Sequence, residues 1–174
     1  RGYGYYQNIN IYLGNWGLTT EYKRYSFDRL YGDLTANEYG NQIEYQQMPT
    51  LAREHSSTLL GRVSHIYSFN DERGIQFELN GSIMDLAISM QYAHLSRNEK
   101  WQSNTENDWS FSIIDGYLPS SDFSALPYWE YYNEISGYTL NERLYFKIGQ
   151  GTNKEVIKNL RNFVGYQKDL SSID

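Results

Sequence analysis

The clearest pattern in the chain is an alternation of apolar and polar positions from Gly74 to Leu95. Alternation with a period of two residues is typical of a β-strand that buries one face. The pattern breaks once, at Met84-Asp85, and it predicts an antiparallel hairpin with one apolar and one polar face. The apolar face of this hairpin is predicted to carry Ile75, Phe77, Leu79, Ile83, Leu86, Ile88, Met90 and Tyr92.

Similar but weaker alternation predicts several further strands, eight to nine in total. A first hairpin turns at Gly14-Asn15-Trp16-Gly17, where glycine and asparagine tolerate the positive φ angles that tight hairpins need. The other predicted strands are Gly4–Leu13, Leu18–Lys23, Ser57–Phe69, Trp109–Tyr117, Trp129–Thr139, Arg143–Gly149 and Asn162–Leu170. This order predicts an all-β fold, an antiparallel meander of hairpins.

Polar stretches without periodicity separate these strands and predict loops. Residues Ser26–Gln47 and Ser96–Trp109 are the longest, and loops of this length are often functional. We expect a bend at Pro49, a turn at Asn70–Arg73, and a loop with two prolines at Leu118–Pro127.

Composition narrows the class of partner. The 174 residues suit one domain, and the net charge of -6 disfavours a nucleic-acid partner. Cysteine is absent, which excludes disulfide bonds and thiol chemistry. The 18 tyrosines and four tryptophans are the anomaly. Side chains that combine an apolar ring with a polar tip are favoured at membrane surfaces and at sugar-binding faces.

No catalytic or metal-binding pattern stands out in the sequence. His55, His65 and His94 are scattered rather than spaced as metal ligands, and no nucleophile-elbow or phosphate-loop motif occurs. Carboxylates such as Glu130 and Glu134 could form a glycosidase pair, but 21 acidic residues produce such pairs by chance. The sequence therefore predicts no enzyme, no cofactor and no metal.

Three segments carry a resemblance to a known class of proteins: GLTTEYKRY, PTLAREHSSTLLGRVSH and PYWEYYNEISGYTLNERLYFKIG. They resemble pieces of poorly characterised outer-membrane β-barrel proteins of Gram-negative bacteria. The resemblance implies a signal peptide, a transmembrane barrel larger than this chain, and no known catalytic residues. It carries no functional residue over to this sequence.

In such a barrel the two faces of the strands would have different surroundings. The apolar face would meet the lipid bilayer, and we expect Ile75, Phe77, Leu79, Leu86, Ile88 and Met90 there. The polar face would line the lumen, where mixed charges tune which solutes pass. The expected lumen-facing residues are Glu21, Lys23, Gln76, Glu78, Asn80, Ser82, Arg143 and Lys147.

The expected protein is therefore a single β domain, residues 1–174, that forms a fragment of a longer barrel chain in the bacterial outer membrane. Its expected role is porin-like or structural, with the bilayer and other outer-membrane or periplasmic subunits as partners. A secreted β-sandwich that binds carbohydrate through exposed Trp and Tyr is the alternative. An esterase or glycosidase barrel is a third class, which would need a convergent cluster of catalytic groups.

Overall fold

The computed structural model of the chain describes residues 3–26, 71–105, 108–158 and 162–173. These residues form nine β-strands and one short 3₁₀ helix, Phe123–Ala125, which confirms the predicted all-β class. The strands are β1 (Tyr3–Leu13), β2 (Trp16–Ser26), β3 (Asp71–Ile83), β4 (Leu86–Ser96), β5 (Glu99–Thr105), β6 (Asp108–Ile113), β7 (Tyr128–Thr139), β8 (Leu144–Lys158) and β9 (Phe163–Ile173).

Seven strands form the main sheet, in the order β1-β2-β3-β4-β7-β8-β9, and β5 pairs with β6 in a separate hairpin. Every neighbouring pair in the main sheet is antiparallel. Strands β1 and β9 are the two edges of the sheet within the described ranges. Five strands lie between β1 and β9 in the sheet, and each strand is antiparallel to its neighbours. Strands β1 and β9 therefore run in the same direction.

Three tight turns lie at one end of the sheet, which we call the turn end. They are Gly14-Asn15, Met84-Asp85 and Leu140–Arg143, and each joins two neighbouring strands. Gly14 and Met84 have φ angles of 59° and 54°, as tight hairpin turns require. The predicted break at Met84-Asp85 is thus confirmed as a turn. At the opposite end, the loop end, β2 and β4 finish and β3 and β7 begin.

The pairing register joins the alternating patterns of all seven strands into two continuous faces. Leu79 lies opposite Leu18 on one side and Met90 on the other, and Ile88 lies opposite Ile135. We call this the apolar face. The opposite, polar face carries Glu21 beside Gln76, and Glu78 beside Gln91, among others. Since a shift of one residue would move every side chain to the other face, the pattern fixes the register.

The predicted turn at Asn70–Arg73 is wrong, because β3 already begins at Asp71. The first residues of β3 are held by the segment that follows β4. The Asp71 carboxylate accepts hydrogen bonds from the Asn98 backbone and side chain at 3.1 and 2.8 Å. The Arg73 guanidinium is fully buried and donates to the carbonyl of Gly116 at 2.8 Å. These long-range bonds stabilise a polar stretch in strand conformation.

The predicted exposed loop at Ser96–Trp109 is also wrong, since it contains most of the β5–β6 hairpin. Trp101 lies opposite Phe111, and their ring centroids are 4.0 Å apart. Such an aromatic cross-strand pair stabilises a hairpin whose other residues are polar. The predictions for Ser26–Gln47, Pro49 and Ser57–Phe69 fall wholly or almost wholly on residues outside the described ranges.

Candidate functional site

The polar face brings together most of the residues that the sequence singled out for the lumen. Glu21 lies directly opposite Gln76 on the neighbouring strand, and both side chains are buried. Glu78 is half-buried one step nearer the turn end, and Asn80 is exposed beyond it. The face therefore becomes more buried from the turn end towards the loop end.

Two of the predicted lumen residues lie on the hairpin formed by β7 and β8, apart from that group. Lys147 is on the polar face of β8, where its ammonium lies 3.0 Å from the Glu134 carboxylate. Arg143 does not lie on a strand. It is exposed in the turn Leu140–Arg143, because β8 begins one residue later, at Leu144. The prediction of an inward-pointing strand position for Arg143 is wrong.

A buried ion pair lies on the polar face near the loop end of β2 and β3. The Lys23 ammonium lies 2.5 Å from a Glu72 carboxylate oxygen, and Lys23 is only 1 % exposed. The Tyr25 ring, two residues along β2, also lies beside the ammonium, 5.6 Å from ring centroid to nitrogen. Burying two charges is costly unless they are paired, so each partner makes the burial of the other possible.

Tyrosines on β7 hold two further carboxylates on this face, and sequence reasoning did not foresee these pairs. The Tyr128 hydroxyl donates to Glu130 at 2.9 Å, and the Tyr132 hydroxyl donates to Glu134. In each pair the residues are two apart and therefore share a face. That spacing is visible in the sequence, but only the register shows that both pairs lie on the buried side.

Two amide side chains on the polar face have hydrogen-bonding groups that are buried without a partner. Gln76 is 0 % exposed, and neither its Nε2 nor its Oε1 is hydrogen-bonded; the Gln91 Nε2 is in the same state. Buried groups of this kind normally bond to protein or ordered water. The interior beside β3 and β4 is thus chemically polar and suited to water.

The apolar face has the opposite exposure. Its large side chains stand at the surface, and Met90, near the middle of β4, is 40 % exposed. The residues predicted to meet lipid all lie on this face, and each is half-buried or exposed. Other exposed apolar side chains on the same face are Ile9, Ile11, Leu13, Tyr131, Ile135, Leu144, Ile148 and Ile173.

An aromatic groove of about 620 Å³ crosses the loop-end half of the apolar face. Phe123 of the 3₁₀ helix reaches over it and packs beside Gly165, where an added Cβ would lie 3.7 Å from the ring. The lining residues are Tyr92, Phe123, Trp129, Glu130, Tyr131, Thr152, Lys154, Glu155, Val156, Gly165, Tyr166 and Gln167. The predicted loop at Leu118–Pro127 thus supplies part of a site.

Asp122 fixes the 3₁₀ helix that positions Phe123. Its carboxylate accepts hydrogen bonds from the Ser124 backbone and hydroxyl at 3.0 and 2.8 Å. These two hydrogen bonds hold the pKa of Asp122 below its ordinary value, and the bond from the Ser124 backbone has the larger effect. Partial burial of the carboxylate acts in the opposite direction and raises the pKa. Asp122 therefore acts as an N-cap for the short helix.

Neither a metal centre nor a membrane-spanning helix occurs in the part of the chain that the structure describes. There, no three His, Cys, Asp or Glu side chains group closely enough to hold a metal ion. Likewise, no helix within those ranges is long and apolar enough to cross a membrane.

No family model, no curated protein and no solved structure matches this chain. The resemblance noted in the sequence therefore stays a prediction.

Proposed function

We propose that the chain forms part of the wall of an outer-membrane β-barrel, with a structural or porin-like role and no catalysis. One observation carries the proposal: the large side chains of the apolar face are exposed, while Lys23, Glu72 and Gln76 on the polar face are buried. A sheet in water would have the reverse arrangement, because large exposed apolar patches are unfavourable there. Lipid around the apolar face explains it.

The dimensions and connections of the strands support the same proposal. The strands of the main sheet contain 11 to 15 residues, and a tilted strand needs about 9–11 residues to cross a bilayer. Three short turns lie at the turn end, whereas the two long connections, from β2 to β3 and from β4 to β7, lie at the loop end together with the four-residue connection from β8 to β9. Bacterial outer-membrane barrels have this asymmetry, with short periplasmic turns and longer extracellular loops.

Closure of the barrel requires strands beyond the seven in the main sheet. Open sheet edges are unfavourable in lipid, so β1 and β9 need partners. Because these two edges run in the same direction, they would pair with each other only in parallel. An antiparallel closure needs an odd number of additional strands, which supports a barrel larger than this sheet.

The burial of the polar face favours a structural role over an open channel. Lys23 and Gln76 are at most 1 % exposed, so no wide water-filled space lies beside them. Small barrels fill their interior with side chains, whereas porins of 16 or more strands leave a channel. Ordered water bound to Gln76 and Gln91 is compatible with a filled interior.

A secreted sheet that binds carbohydrate is the second candidate, and the aromatic groove favours it. Tyr92, Trp129 and Tyr131 line the groove beside the polar side chains of Thr152 and Gln167. Aromatic rings with nearby hydrogen-bonding groups are the usual chemistry of a sugar site. This function would leave the exposure of Ile9, Ile135 and Ile148 unexplained.

Flotation separates the two candidates. We expect the chain, diluted from urea onto phosphatidylcholine vesicles, to float with them through a density gradient and to resist extraction at alkaline pH. The same dilution without lipid or detergent should give aggregates, since the apolar face would then meet water. A monomer that stays soluble in plain buffer and does not float would refute the barrel.

A further inference from the structure

Two cationic side chains meet one indole ring at the loop end, where the β5–β6 hairpin approaches the main sheet. The Lys158 ammonium lies 3.6 Å from the centroid of the Trp101 ring, and the Arg97 guanidinium carbon lies 5.9 Å from it. Phe111 packs against the same indole. We call Arg97, Trp101 and Lys158 the Trp101 cluster.

The register places the cluster at the edge of the apolar face. Lys158 is the last residue of β8 and lies opposite Phe163, and alternation puts its side chain on the apolar face with Val156 and Lys154. Both cations are half-buried, and they are close enough for their charges to repel each other. An anion held between them would convert this repulsion into two attractions.

The lining of the aromatic groove includes no residue of the cluster, but it begins at the next pair on the same face and runs towards the middle of the apolar face. Val156 and Gly165 line the groove directly beside Lys158 and Phe163, and Tyr92 and Tyr131 line it further on. Lys154 also borders it, although the nearby Asp169 offsets part of its charge. Glu130 and Glu155 also line the groove, whose other lining residues are mainly aromatic, apolar or uncharged. Two cations beside such a groove are complementary to a molecule with an anionic head and an apolar tail.

We propose that the Trp101 cluster binds the phosphate of an anionic membrane lipid whose acyl chain lies in the aromatic groove. This inference rests on the proposed function, in which the apolar face meets lipid. The cluster then lies at headgroup level, where aromatic and basic side chains are favoured. Arg97 and Lys158 would donate charge-assisted hydrogen bonds to the phosphate oxygens, and Trp101 would hold the two cations in place.

Lipid retention measured by native mass spectrometry tests the inference. The chain is first floated with vesicles, then released into detergent with either phosphatidic acid or phosphatidylcholine. We expect the wild-type chain to retain phosphatidic acid preferentially. The double variant Arg97→Gln/Lys158→Gln should bind it at least about tenfold more weakly, a change of about 1.4 kcal/mol, since both charged contacts to the phosphate are lost.

The control Arg143→Gln/Lys168→Gln removes the same two kinds of charge elsewhere. Arg143 lies in a turn at the other end of the sheet, and Lys168 lies on the polar face, and both are exposed. We expect this control to retain phosphatidic acid like the wild type.

Three results would overturn the inference. A Trp101-cluster variant that keeps wild-type retention refutes the site, provided that it floats normally. Full displacement of the lipid by millimolar inorganic phosphate shows that the cluster binds free phosphate rather than a lipid. A wild-type chain that does not float refutes the proposed function itself, and the lipid site with it.

Discussion

Replacing Lys23 with methionine is expected to lower the free energy of unfolding by about 3–5 kcal/mol. The substitution leaves the Glu72 carboxylate buried without the ammonium that lies 2.5 Å away, and a buried unpaired charge is strongly destabilising. Urea titration followed by tryptophan fluorescence, with the chain in vesicles, measures the change.

Two controls separate the ion pair from the loss of a lysine as such. Lys147→Met breaks the Lys147–Glu134 pair, whose side chains are 16 % exposed, and should cost only about 1 kcal/mol. The double variant Lys23→Met/Glu72→Met removes both buried charges and should recover most of the lost stability. Equal losses for Lys23→Met and Lys147→Met would contradict the greater cost that we assign to breaking the more deeply buried pair.

Replacing Met90 with arginine is expected to destabilise the membrane-inserted protein by about 2–4 kcal/mol. Met90 lies on the apolar face in the middle of β4. In the proposed barrel, an arginine there would face the hydrocarbon core. If Met90 faced water, the same substitution at this 40 % exposed position would have little effect on stability. The size of the decrease in the free energy of unfolding therefore shows whether Met90 faces lipid or water.

The matched control is Met84→Arg, the same substitution six residues earlier. Met84 is 94 % exposed in the turn at the turn end. In the proposed barrel this turn lies at the membrane surface, so the substitution should cost at most about 1 kcal/mol. Both variants are measured by the same urea titration in vesicles. If Met90→Arg were no more costly than Met84→Arg, the apolar face would not lie in lipid.

Local alternation was sufficient to predict the hairpin around Met84-Asp85, and the reason is physical. Ile75, Phe77 and Met90 follow a period of two, and a tight turn allows only one pairing that keeps them on one face. The register of β3 with β4, and the division into an apolar and a polar face, could therefore be derived from about twenty residues.

The remaining features depend on partners that are distant in the sequence. Asp71 and Arg73 appear in a polar stretch that suggests a turn, yet bonds from Asn98 and to Gly116 hold them in β3. Lys23 on β2 and Glu72 on β3 are 49 residues apart in the sequence, so no local sequence pattern predicts their ion pair.

Strand β8 continues beyond its predicted end at Gly149, because pairing with neighbouring strands holds its polar residues in strand conformation. Residues 150–158 of β8 are mostly polar, but all of them pair with β9, and residues 150–155 also pair with β7. The β5–β6 hairpin also forms in a polar stretch with weak strand preference. There the cross-strand contact between Trp101 and Phe111 stabilises the strands.

Spin labels attached along β3 test most directly whether the apolar face lies in lipid. The chain contains no cysteine, so single-cysteine variants at positions 75 to 79 can each carry one nitroxide. With the protein in vesicles, we expect labels at Ile75, Phe77 and Leu79 to collide frequently with oxygen, which dissolves in lipid, and labels at Gln76 and Glu78 to be shielded from it. Labels at Phe77 and Leu79 that are shielded from both oxygen and a water-soluble nickel complex would contradict the barrel, because that result describes the core of a two-sheet sandwich.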